Sequence, residues 1–287
     1  MKIVRFLFSL KGLLLMFGIF IGLILATNLM SFSASEEEIM EAFKSMPYQP
    51  EHHFIKSEAG NLHYITVGDP SKPHVLLIHG SPGSWDVWLD ILTVTDFLEH
   101  YYALAIDRPG YNKTTLEAKY SLQQQSGFLQ PLLKEHCHPC IVAGHSYGGA
   151  MAVQTALDYP GNVASFVSIA GTVADSLQEP RFYNYILRYS PLQWIIAPEF
   201  MVSNQEMMAL EEDLPKMELQ LPSYTGKAAF VQGNADMLVS PGSPFYLKAK
   251  LTRANTRIWV REKMNHFVIW SDKDLVMEAL KWTSTSK

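Results

Sequence analysis

The segment IVAGHSYGGAMAVQTA, residues 141–156, changes character at its centre. An apolar, β-prone run from Ile141 to Ala143 meets glycines gathered round one serine, and an alanine-rich helical pattern follows at once. Few local sequences restrict a fold so strongly: the chain must leave a strand, turn within a few residues and enter a helix. Gly144 lies two before Ser146 and Gly148 two after, which removes the side chains that would hold strand and helix apart. On so tight a corner the serine backbone is strained and its Oγ stands clear of the sheet, while the helix N-terminus aims its amides at whatever the hydroxyl meets. The pattern GxSxG is common by itself. Its setting between a strand and a helix gives it weight.

The rest of the chain has the rhythm that such a corner needs. NLHYITV (61–67) alternates in period two, and HVLLIHG (74–80), YYALAID (101–107), CIVAGHS (140–146), SFVSIAG (165–171), AAFVQGN (228–234) and TRIWVRE (256–262) read as compact apolar strands. Helical stretches run from Asp86 to His100, Ser121 to His136, Tyr147 to Tyr159 and Lys273 to Trp282. This alternation predicts an α/β fold, a mostly parallel sheet covered by helices on both faces. The first two strands have no helix between them and are expected to form an antiparallel edge. From about 173 to 224 no strand is evident, and the interval is dense in Tyr, Trp, Leu and Met. It reads as a helical lid inserted between two core strands.

A serine hydroxyl is a poor nucleophile at neutral pH. It needs a base, and the base needs an orienting acid. Strand AAFVQGN ends in Ala235-Asp236, and TRIWVRE is followed by Met264-Asn265-His266. Asp236 and His266 thus fall in loops at strand carboxyl ends, the edge of a parallel sheet at which Ser146 emerges. An oxyanion hole calls for two backbone N–H donors. Tyr147 supplies one, directly after the serine. Ser81 supplies the other from HGSPGSW (79–85), where Gly80 permits a tight turn and Pro82 stiffens the loop. Glu211, Glu212 and Asp213 are alternative acids, but they fall inside the lid.

In the order HGSPGS, DRPGY (107–111), GHSYGG, GNAD and NH, the chain from about His52 onward resembles the α/β-hydrolases of the serine type. The resemblance implies an eight-stranded, mostly parallel sheet with a small helical lid, over 51–287. It also implies a reaction through an acyl-enzyme, with Ser146 as nucleophile, His266 as base, Asp236 as orienting acid, and neither metal nor organic cofactor. Relatives that open epoxides or remove halogens share the look of the oxyanion loop but use a carboxylate nucleophile, so Ser146 argues against both.

The expected activity is hydrolysis of an ester-type bond in a mostly apolar small substrate, as in a carboxylesterase or lipase. A peptidase, a thioesterase and a carbon–carbon bond hydrolase use the same triad, although the loop lacks the HGGPG form common in iminopeptidases. A binding scaffold on a membrane stalk is the non-enzymatic alternative, and it has no use for three catalytic positions. Lid aromatics and methionines, Met207, Met208 and Met217 among them, are expected to pack on the sheet and to line the pocket. Trp194 is a candidate for touching a membrane surface.

Other tempting residues have plainer readings. His145 precedes the serine on a strand and by alternation points to the opposite face; it and His79 read as core histidines. CHPC (137–140) has the look of a redox motif, yet it follows a helix rather than opening one, so no helix dipole lowers a cysteine pKa. It reads as a structural disulfide of an oxidising compartment. His136 and His138 are too crowded against the cysteines for a four-ligand zinc site.

The N-terminus stands apart. Gly12 to Ala26 is uninterruptedly apolar, and Thr27 to Phe32 extends it to about the length that crosses a bilayer. Lys2, Arg5 and Lys11 precede or open it. With those three removed from the 23 basic residues, 20 remain against 28 acidic ones, which leaves no basic excess for nucleic acid. Residues 1–34 are therefore expected to be a membrane anchor, or a signal segment cleaved on secretion, with Glu-rich 35–50 as a spacer. Positive charge on the N-terminal side puts the following domain outside the cytoplasm. Ser31 and Ser33 suit a cleavage site, whereas Phe32 and Ala34 do not.

Overall fold

The computed structural model describes residues 9–29, 31–178, 180–189 and 195–284. Lys2, Arg5 and Trp194 lie outside the described residues. Eight strands form one sheet: β1 (Glu51–Ser57), β2 (Gly60–Val67), β3 (His74–Ile78), β4 (Tyr102–Ile106), β5 (Cys140–His145), β6 (Val163–Ile169), β7 (Lys227–Gly233) and β8 (Asn255–Arg261). Their order is β1-β2-β4-β3-β5-β6-β7-β8. Pairing is antiparallel for β1 with β2 and for β2 with β4, and parallel from β4 to β8.

The apolar runs of the inner strands are explained by cover on both faces. Leu76, Ile78, Val142, Phe166 and Phe230 face one hydrophobic core, and Val75, Leu77, Ile141, Ala143, Val167 and Val231 face the other. Alternate residues of one strand thus serve opposite cores, as the pleat requires. After β4 the chain crosses β3 to form β5 on its far side. The loops after β3 and β5 therefore part company at the carboxyl end of the sheet, where such a switch opens a crevice.

In chain order the helices are α1 (Leu10–Leu29), α2 (Glu36–Phe43), α3 (Leu89–Leu92), α4 (Thr95–His100), α5 (Leu122–Phe128), α6 (Gln130–His136), α7 (Tyr147–Asp158), α8 (Phe182–Tyr189), α9 (Pro198–Gln220), α10 (Ser243–Lys250), α11 (Val268–Ser271) and α12 (Lys273–Ser284). Helices α8 and α9 make up the lid, between β6 and β7.

Several expectations need correcting. The first strand read from sequence, β2, does not pair with β3: β4 lies between them, and the antiparallel partner on the outer side is β1, which the sequence reading missed. Asp86 to His100 is not one helix, for a 3-10 turn (Trp85–Trp88), α3 and α4 divide it. Ser121 to His136 likewise splits into α5 and α6, with Pro131 in the first turn of the second. The N-terminal apolar stretch does form a 20-residue helix, α1. Among the described residues no helix is long and apolar enough to cross a membrane, so a transmembrane helix is not part of the fold as described. The stretch after it is not a free spacer either. Ser35 and Glu38 close a capping box on α2, whose Phe43 is fully buried in the core that Trp88 and Leu280 share. Cys137 and Cys140 are joined, as the structural reading expected.

Candidate active site

The corner after β5 is built from close backbone contacts. Ser146 adopts φ 56° and ψ −122°, a conformation that L-residues avoid, and its N–H donates to Ile169 O at 2.9 Å. A Cβ on Gly144 would lie 1.8 Å from Gly148 O, and one on Gly148 would lie 2.3 Å from Ile78 O. Both positions are thus closed to any side chain. Between Cys140 and Ala156, Ser146 is the one residue that is not buried.

His266 comes from the loop after β8 and Asp236 from the loop after β7. The His266 Nδ1 donates to Asp236 Oδ2 at 2.8 Å, which fixes the tautomer and leaves Nε2 as the accepting nitrogen. Asp236 is bound on every side: Gln232 Nε2 donates to Oδ2 at 2.9 Å, and the N–H groups of Leu238 and Val239 donate to Oδ1 at 2.8 and 2.9 Å. Burial alone would raise this carboxyl, but the hydrogen bonds from His266 and the two amides outweigh it and hold Asp236 below the usual carboxylate range.

Ser146 and His266 face the same cavity of about 780 Å³. Its wall is mostly apolar, with Phe200, Leu187, Ile196 and Met207 from the lid and Phe267 and Trp270 from the C-terminal side. Thr172, whose buried hydroxyl has no partner among the described residues, adds a polar point beside the serine. Thr27 and Phe32 reach the cavity from the N-terminal segment. There Asn28 Nδ2 donates to Ile195 O at 2.9 Å, and the Phe32 ring meets Phe200 edge to face at 4.9 Å.

The backbone N–H of Tyr147 opens α7 and has no acceptor within the helix. Ser81 N–H makes no hydrogen bond among the described residues, and its loop lies close enough that a Cβ on Gly80 would come within 3.1 Å of the Ser146 Cβ. The Gly80–Ser81 peptide is held from its carbonyl side. Arg108 N–H donates to His79 Nε2 at 2.9 Å, so the proton of that ring sits on Nδ1, which donates to Gly80 O at 2.7 Å. Arg108 Nη2 donates to the same carbonyl at 2.8 Å. Burial lowers the His79 pKa well below the ordinary histidine value, with the Arg108 charge adding to the effect, and the ring stays neutral.

The sequence candidates sort cleanly. Asp213 is spent on the start of α5, accepting from Leu122 N–H at 2.8 Å, while Glu211 bonds Tyr185 and Glu212 bonds Lys216. None of the three meets His266. His79 is a core histidine, as expected. His145 is buried too, but it is not turned away from the site: its Nε2 donates to His266 O at 3.1 Å, and the two rings lie 4.9 Å apart. The loop after β8 folds back under the end of β5, which strand alternation alone does not reveal. Burial, and secondarily His266, push the His145 pKa down to about 3.

Sequence reasoning missed Arg108, Gln232 and Glu206. Glu206, on α9, is completely buried and accepts from Arg108, Tyr111 and Gln125. Arg108 sits in the quoted run DRPGY, so its signal was visible as a charge on a tight turn. Nothing near Glu206 marks it.

A model of the family described as "Alpha/beta hydrolase family" matches residues 75–281. Among curated proteins, "Epoxide hydrolase 1" of Caenorhabditis elegans is 33% identical over 111 residues, covering 37% of this chain and 27% of that protein. "Epoxide hydrolase 4" of Mus musculus is 29% identical over 173 residues, covering 55% and 46%. The chain thus spans less than half the length of either relative. Of the solved structures, a membrane phospholipase A described as a bacterial virulence factor superposes with a TM-score of 0.63 at 18% identity, over 100% of both chains. At that identity the likeness is one of fold.

Proposed function

Because the chain belongs to the alpha/beta hydrolase family, we propose that it is a serine hydrolase acting on an ester-type bond of a mostly apolar substrate. The observation that carries this reading is a half-buried serine on an otherwise buried corner, lining the same apolar cavity as an imidazole held by a buried carboxylate. In the proposed reaction His266 Nε2 takes the Ser146 proton as Oγ attacks the carbonyl carbon. The tetrahedral oxyanion is held by the N–H groups of Ser81 and Tyr147. His266 then returns the proton to the leaving group, and water repeats the sequence on the acyl-enzyme. Asp236 keeps the imidazole in its tautomer and stabilises its charged form. The sequence needs no cofactor.

The two curated relatives quoted above are named epoxide hydrolases, and epoxide opening in related hydrolases runs through a carboxylate at the elbow. A serine stands there in this chain, which favours acyl transfer. Cavity volume and wall suit an acyl chain or a flat apolar ring. Placement of Thr27 and Phe32 on that cavity supports an amphiphilic substrate reached beside α1, and the positive charge that precedes that helix in the sequence supports a hydrolase domain outside the cytoplasm.

Reaction with a fluorophosphonate, followed by a panel of p-nitrophenyl esters of rising chain length, tests the proposal. Wild type is expected to be labelled and to turn over, with Ser146→Ala silent in both assays at unchanged thermal stability. A folded wild type that resists labelling and cleaves no ester refutes it. Protease treatment of the labelled protein in sealed membranes tests its sidedness.

A further inference from the structure

The most heavily bonded carboxylate of the lid does not face the substrate cavity. Glu206 leaves α9, is 0% exposed, and enters a buried polar cluster behind the loop that carries Ser81. Oε2 accepts from the Ser81 and Tyr111 hydroxyls, the latter at 2.8 Å, and from Arg108 Nη2 at 3.2 Å. Oε1 accepts from Arg108 Nη1 and from Gln125 Nε2, the latter at 2.8 Å. Arg108 is equally enclosed. Beyond Glu206 it reaches His79 O at 3.1 Å and Gln125 Oε1 at 3.0 Å, and it lies between the rings of Tyr111 and Tyr147 at 4.8 and 4.7 Å. Burial alone would lower its pKa, but the Glu206 charge overrides that and keeps it firmly protonated. An isolated buried charge of either sign costs several kcal/mol. Glu206 and Arg108 must therefore enter and leave this cluster together.

The consequence reaches the oxyanion hole through one peptide plane. Arg108 and His79 both donate to Gly80 O. In a trans peptide the carbonyl and the following N–H point in opposite directions. Holding Gly80 O toward Arg108 therefore turns Ser81 N–H away from it. Glu206 secures the same unit twice, through the guanidinium on one side of the peptide and through the Ser81 hydroxyl on the other. Without that carboxylate Arg108 would be free to seek another acceptor, and the peptide would lose one of the two donors that fix its face, keeping only His79 Nδ1.

We propose that Glu206 is a positioning residue that orients the Ser81 N–H through Arg108, so that seating of the lid and formation of the oxyanion hole are one event. This inference rests on the serine hydrolase reading above. The lid then contributes to the chemical step as well as to the choice of substrate.

Glu206→Gln is the direct test, since it keeps the shape and removes the charge. The expected result is a fall in kcat of about 10- to 100-fold, below the 10²–10³-fold that follows loss of a whole oxyanion donor, with KM within about 3-fold of wild type. A peptidyl or alkyl boronate, whose tetrahedral adduct places an oxygen in the hole, should lose affinity in parallel with kcat/KM. A neutral product analogue should not. Glu206→Asp keeps the charge on a shorter arm and should recover only part of the loss. Where Glu206→Gln does not fold, Tyr111→Phe and Ser81→Ala each remove one hydrogen bond to Glu206, together with the contact between the two hydroxyls, without orphaning a charge. They should then show the same paired loss of kcat and boronate affinity, at several-fold. Wild-type kcat and boronate affinity in the folded variants overturn the proposal. An inert wild type would instead overturn the underlying hydrolase reading, so the two failures are distinct.

Discussion

The corner around Ser146 and the lid above it are held by different means. At the corner, main-chain atoms meet main-chain atoms: the places that Cβ atoms would take on Gly144 and Gly148 are already filled by carbonyls. Such a site is specified within a few residues of sequence and has no slack. The lid is held by side chains: Glu206 reaches across to Arg108, and within the lid Asn184 Nδ2 on α8 donates to Asn204 Oδ1 on α9 at 2.8 Å. The apolar part of its inner wall is Leu187, Ile196, Phe200 and Met207, residue types that exchange for one another at small cost. On the proposed reading, reaction geometry belongs to the corner and the loops beside it, and substrate choice to the lid.

The sharpest way to break that comparison is Asp236→Asn. An amide in this position presents an N–H to His266 Nδ1 and favours the wrong tautomer, so kcat is expected to fall about 10⁴-fold with little change in KM. A loss below about 10-fold in steady-state ester hydrolysis would mean that the loop after β7 does not govern the imidazole.

A second measurement sharpens the rigid half through pH. His145 keeps its neutral form down to about pH 3, whereas an unfolded histidine takes up a proton below about 6.5. Its folded pKa is depressed, so its stabilising share is complete above about 6.5 and is lost as pH falls toward 3. Between pH 7.5 and 4.5 wild type should lose about 3 kcal/mol that His145→Gln does not lose, read from urea unfolding at both values. Equal losses in both proteins would show that the ring is already solvated.

The smallest effect is expected in the lid. Met207→Ala enlarges an apolar wall and should move the preferred p-nitrophenyl ester to a longer chain. Changes of this kind alter kcat/KM ratios between neighbouring chain lengths by about 10-fold, while turnover of a short ester stays within about 3-fold. An unchanged chain-length profile with impaired turnover of every ester would merge the two regions into one.

How much of this was legible in the sequence follows from the same distinction. The inner strands were plain, because cover on both faces leaves runs such as Leu76, Leu77 and Ile78 with no polar residue between them. Ser146, Asp236 and His266 could be named because each sits where a strand ends, a local mark. The strand β1 escaped notice because EHHFIKS is largely exposed and carries almost no apolar pattern. The insertion of β4 between β2 and β3 was invisible for another reason: strand neighbours are chosen by packing between distant segments. Phe43 on α2 shows the limit at its plainest. Three glutamates open that helix and suggest solvent, yet the phenyl ring at its end is wholly buried. Glu206 looks like one more charge among the acids of α9 until the fold brings Arg108 to it.

His145 and His266 touch although 121 positions separate them along the chain. A ribosome reads the message in one direction, so Ser146 emerges well before His266. On the serine hydrolase reading proposed above, the growing polypeptide carries a lone alcohol until the closing segments supply the imidazole, and a chain assembled in this order would gain its reactivity last.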